Sequence, residues 1–142
     1  MDSRDFENVL LYEKQCRFID TVTRTAKNLG VSMPEIKFWD GYCPDSQAFE
    51  IAHIHVETRT ICISNYRLRA IDYDEIDGTA VHETTHLVET LHNQDFHIKE
   101  LDGREELWHS RNSDELTIEE DVRIISLRKA KKEIKKRKNS KE

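Results

Sequence analysis

The 142 residues contain no apolar run near the roughly 18 residues of a membrane-crossing helix, so no segment is expected to span a bilayer. The N-terminus, MDSRDFENVL, is acidic and has no secretory pattern. Cysteine is scarce: Cys16, Cys43 and Cys62 are an odd number and none sits in a CxxC pair. That usage points to reduced thiols and a cytoplasmic setting. No internal repeat is visible. What remains, with 37% hydrophobic residues, suffices for one modest core. The expected organisation is a single domain over residues 1–116 followed by a basic segment over 117–142.

Charge is unevenly spread. Ten of the 22 Lys and Arg fall in residues 122–142, against two of the 28 acidic residues. The body is therefore strongly acidic and the tail basic. Such a tail can dock on its own body, on a second copy or on nucleic acid, or be an ordinary solvated helix end.

Residues 5–30 read as a long amphipathic helix, with Phe6, Val9, Leu10, Cys16, Ile19, Val22, Ala26 and Leu29 at three- and four-residue steps and Gly30 as the stop. EIKFW predicts a short strand, and DGYCPDSQ a loop. AFEIAHIHVE alternates, with Ala52, Ile54 and Val56 on one face and His53 and His55 on the other. ETRT predicts a tight turn and TICIS the returning strand, so the pair is a hairpin. NYRLRAIDYDEID predicts a turn and short helix, leading into a longer helix from about Ile76 to Thr90. QDFHIKELDG predicts a further helix ended by Gly103. Thr117 and Glu120 form a capping-box pattern at the head of a last helix.

The chemistry concentrates in VHETTHLVETLHNQDF, residues 81–96. His82-Glu83-Thr84-Thr85-His86 is HExxH. On a helix, residues four apart stand one turn above each other, so two imidazoles can bind one zinc. Glu83 then lies beside the metal, where it can act as general base on water. The alternative is a polar surface helix that carries two histidines. A catalytic zinc usually takes three protein ligands. His92 supplies the third only if the helix ends soon after Glu89, because in a straight helix it would lie about 9 Å beyond His86. Neither Gly nor Pro marks such a break; Asn93 could aid the reversal through a left-handed backbone.

The spacing His82, His86, His92 resembles the HExxHxxxxxH of metzincins and WLM proteases. Glu89 stands where metzincins carry Gly, and no Met lies downstream, which excludes a metzincin Met-turn. His92-Asn93-Gln94-Asp95-Phe96, an HxxxF, is similar to the WLM, SprT/Spartan-like and YgjP-like zinc peptidases. ISNYRLRAID resembles the strand and short helix that precede HExxH in those families, so the likeness covers about residues 46–101. The whole plan resembles the minigluzincins. That resemblance implies one zinc per chain on His82, His86 and His92, Glu83 as general base, and a C-terminal segment that keeps the enzyme latent in its own copy or in a partner's, as in a zymogen.

The expected fold is α+β. A long N-terminal helix packs on a small, mostly antiparallel sheet, with the HExxH helix behind it and a C-terminal helix swapped or covering the cleft. The expected function is zinc-dependent peptide-bond hydrolysis on a protein or peptide substrate, with a homodimer through the C-terminal helix as one arrangement. The alternative is a DNA-associated or zinc-stabilised dimeric module without proteolysis. His97, His109, Glu119 and Glu120 are fallback ligands. His53 and His55 are candidates to line a substrate cleft, Glu89 to orient a ligand imidazole, and Tyr66 and Tyr73 to stabilise an oxyanion.

Overall fold

The computed structural model describes residues 3–46, 50–111, 129–130 and 132–136. Of the C-terminal segment, residues 129–130 and 132–136 are helical. The Thr117/Glu120 capping box, and with it the fallback ligands Glu119 and Glu120, lies outside the described residues. No described helix is long and apolar enough to cross a membrane.

The first helix, α1 (Ser3–Leu29), ends where the sequence places its stop. Gly30 takes φ 72°, and Val31 N–H reaches back to the Ala26 carbonyl, closing the last turn. The buried stripe differs from expectation. Leu11, Phe18, Val22 and Ala26 are buried with Thr21 and Thr25, whereas Val9, Leu10, Cys16 and Ile19 face outward. Phe18 sets the face: it is fully buried and meets Phe38 edge-on at 6.2 Å. Burying a large aromatic outweighs burying smaller side chains on the neighbouring face.

Three strands follow: β1 (Glu35–Trp39), β2 (Ala52–His55) and β3 (Thr60–Ser64). The sheet order is β1-β3-β2. β2 and β3 form the expected antiparallel hairpin, closed by a turn in which Arg59 takes φ 54°. β1 joins β3 in parallel, so the sheet is mixed. Ile61 and Ile63 of the central strand enter the core with Ile36, Phe38, Ala52 and Ile54. By strand alternation Cys62 faces the other side.

Helix α2 (Asn65–Ala70) is capped by Ser64, and α3 (Tyr73–Thr85) by Asp72, whose carboxylate accepts the Glu75 N–H at 2.8 Å. Asp74 and Glu75 in the first turn of α3 suit its positive end. Helix α4 (Gln94–Arg111) runs straight through Gly103, where a stop was expected. A Cβ at Gly103 would meet Val81 Cγ1 at 3.1 Å, so this glycine serves the close approach of α4 to α3 rather than a helix end. The domain is therefore α+β, with α1 and α3 sharing the sheet's core and α4 packed on α1 and α3.

Asp77 of α3 ties the helices together. It accepts from Arg17 Nε and Nη2 at 2.9 and 2.7 Å, from Thr21 Oγ1 at 2.8 Å and from Arg111 Nη1 at 2.9 Å. Burial would push its carboxyl up, but these donors more than offset that and hold it below its ordinary value. This one carboxylate thus joins donors from both α1 and α4 to the HExxH helix.

Candidate metal centre and active site

The HExxH helix is shorter than its apolar pattern suggests. It was expected to reach Thr90 and stops at Thr85. Thr84 and Thr85 hydroxyls donate back to the Ala80 and Val81 carbonyls at 2.7 and 2.6 Å, a pattern that weakens a helix. The final turn tightens to three-residue bonds: His86, Leu87 and Val88 N–H reach Glu83, Thr84 and Thr85 carbonyls. Glu89 N–H still bonds Thr85 O, after which the chain reverses. Asn93 does not use a left-handed backbone, since Arg59 is the one non-glycine with positive φ among the described residues. Its side chain caps α4 instead, accepting the Phe96 N–H at 2.8 Å.

That reversal carries His92 onto the helix face. His92 Nε2 lies 2.9 Å from His86 Nε2 and 3.2 Å from His82 Nε2. A tetrahedral zinc with nitrogens at about 2.0–2.1 Å would set its ligand nitrogens about 3.3 Å apart. The three atoms stand at that scale and converge on one point.

Two of the rings are aimed from behind. His82 Nδ1 meets the Glu100 carboxylate at 2.6 Å, and His86 Nδ1 donates to the Glu89 carbonyl at 3.0 Å. A proton on Nδ1 leaves the Nε2 lone pair free toward the shared point. Glu89 thus orients a ring through its backbone; its carboxylate pairs with Lys99. Beneath all three imidazoles lies Phe96, fully buried, with its ring centre 4.9, 4.5 and 5.1 Å from those of His82, His86 and His92. Phe96 and Glu100 are one turn apart on α4, so one helix face supplies both the apolar floor and the carboxylate.

Electrostatics follow the geometry. The Glu100 bond raises the His82 pKa, while burial lowers that of His86. Glu83 is nearly buried on α3 beside these rings. Burial, with Glu50 and Glu100 nearby, pushes its carboxyl up to about 7 despite the opposing effect of His82. An open cleft of about 540 Å³ runs past His82 and Glu83, walled by Glu100 and Arg104 on one side and by Glu50, Ile51 and Ala52 on the other. A second depression of about 430 Å³, between α1 and α4, holds none of the histidines.

Several candidates lie elsewhere. His97 is half exposed and faces Glu100 at 3.8 Å, and His109 faces Glu105 at 3.8 Å; neither joins the converging set. Tyr66 packs edge-on to Tyr42, and Tyr73 sits under Arg17. His53 and His55 are not among the residues walling the cleft; they meet Cys43 and Cys62. Glu100 was not singled out by the sequence: it lies 18 residues from His82, and no local pattern marks it.

No protein-family model matches the chain, and no solved structure matches it. Among curated proteins it is similar to protease HtpX of Shewanella denitrificans, at 33% identity over 69 residues, and to protease HtpX of Shewanella baltica, at 32% over 69 residues. The match takes in 49% of this chain but spans only 23% of the length of those relatives. The likeness to a protease is thus partial, and it joins a site whose donor set suits a metal.

Proposed function

We propose that the chain is a zinc-dependent peptidase with His82, His86 and His92 as metal ligands and Glu83 as general base. The observation that carries this reading is the return of His92 onto the HExxH face, with the far nitrogens of His82 and His86 already tied down. Three imidazole nitrogens with room for a further oxygen ligand suit a catalytic zinc better than a closed structural one. Zinc held there would polarise a carbonyl and lower the pKa of the attacking water.

The protein's own part is positional. Glu83, held nearly buried beside the rings, can take a proton from water and release it to the leaving amine. β2 is an edge strand, and Ile51 and Ala52 wall the cleft beside Glu83. Among the described residues no strand pairs with its outer side, so its backbone groups there can pair with an extended peptide and hold the scissile bond against the site. The cleft is acidic: Glu50, Asp74, Glu75, Glu83 and Glu100 line it, with Arg104 opposing. Basic peptide segments therefore fit it best, and the chain's own Lys-rich segment is a natural occupant that would keep the site latent.

Glu83→Gln keeps the ligands and the size of the side chain but cannot accept the proton. It should bind zinc like the wild type and lose peptide turnover. Proteolysis at the wild-type rate would sink the mechanism.

A further inference from the structure

A second cluster stands on the other face of the sheet. His53 and His55 are two apart on β2 and share a face, and His53 is the cross-strand partner of Cys62 on β3. Cys43, from the loop after β1, closes over them. One ligand atom from each of the four lies within 4.8 Å of all the others. His53 Nε2 is 3.1 Å from His55 Nε2, and Cys43 Sγ is 3.7 Å from His55 Nε2. A tetrahedral zinc with about 2.0 Å to nitrogen and 2.3 Å to sulfur sets nitrogens roughly 3.3 Å apart and nitrogen from sulfur roughly 3.6 Å. Both of these edges fall close to those values.

The geometry points to a second metal site, a closed Cys2His2 zinc site made by Cys43, His53, His55 and Cys62. Both thiols are buried. The donor set is soft and tetrahedral in number, which selects zinc over magnesium or calcium. The far side of one ring is already provided for, since His53 Nδ1 faces the Glu50 carboxylate at 3.4 Å. Four protein ligands leave no open position, so the site is structural. It staples the β2–β3 hairpin to the chain that leaves β1. Glu50 also lines the cleft beside Glu83, so the staple fixes one wall of the active site from behind.

Cobalt(II) distinguishes the two sites, because only a thiolate ligand gives a sulfur-to-cobalt charge-transfer band in the near ultraviolet. The 142-residue chain, purified under reductant, should bind two zinc per chain and show that band on cobalt titration. His82→Ala/His86→Ala should lose one metal and keep the band. Cys43→Ser, on the loop, should lose the band and one metal while keeping the other. Cys62→Ser should do the same, and His55→Ala provides a further variant should the buried cysteine change prevent folding. A wild type with one metal and no thiolate band would overturn the second site. So would a band that vanishes in His82→Ala/His86→Ala while circular dichroism shows an intact fold. A Cys43–Cys62 disulfide that persists under reductant, seen as a mass loss of two hydrogens, would likewise overturn it.

Discussion

Replacing Glu100 by alanine should weaken zinc binding without touching a ligand. Its carboxylate lies 2.6 Å from His82 Nδ1, a short and largely buried contact. It fixes the ring's tautomer and direction and makes Nε2 a better donor. Losing such a partner typically costs about 10–100-fold in metal affinity, which is about 1.4–2.7 kcal/mol. A bond this short and sheltered belongs in the upper part of that range. Glu100→Gln keeps an acceptor oxygen and loses the charge, so its loss should be smaller. The same carboxylate also raises the proton affinity of His82, so protons compete harder for the wild-type ring at low pH. Zinc dissociation constants should therefore be measured at mildly alkaline pH, against a chromophoric chelator, where proton competition for the ring is weakest. Unchanged or tighter binding in a folded Glu100→Ala would refute the account of how the site is oriented.

Other consequences are more direct. Asp77→Asn should lower stability in chemical denaturation by about 1–3 kcal/mol, less than a fully buried pair because Arg17 is a third exposed. Because the folded Asp77 pKa is depressed, its contribution is full above the ordinary value of 3.8 and fades as pH falls through the lower folded value. The gap between wild type and Asp77→Asn should thus narrow in acid; a gap constant down to strongly acidic pH would contradict it. Gly103→Ala should forgo the gain of up to about 1 kcal/mol that alanine usually brings to a helix, because Val81 stands in the way; a clear rise in melting temperature would count against that packing. Truncation after Arg128 should raise peptidase activity if the basic segment covers the acidic cleft. If activity stays level while DNA affinity and its salt dependence fall, the segment is a nucleic-acid handle instead.

The long helix, the three strands and the hairpin were legible because each carries a period of its own: 3.6 up to Gly30, and two along AHIH and TICIS. HExxH was legible because its two histidines lie about one helical turn apart. The end of α3 was not. Leu87 and Val88 continue the apolar pattern, while the threonine back-bonds and the tightened last turn leave no mark as plain as Gly or Pro. Gly103 misled in the opposite sense, since a glycine needed for close helix packing looks the same in sequence as one that ends a helix. Glu100 reaches His82 only through the packing of α4 on α3. The Cys43, His53, His55, Cys62 group escaped because its spacing fits no familiar ligand motif. The hairpin register that sets His53 opposite Cys62 was the one signal able to reveal it.

The central claim is that His92 completes a three-histidine metal site. Zinc content after dialysis against a competing chelator tests it most directly, in wild type, His92→Ala and His109→Ala. The account predicts that His92→Ala retains one zinc fewer per chain than wild type and that His109→Ala matches wild type. A His92→Ala protein that holds as much zinc as wild type, as tightly, would contradict it.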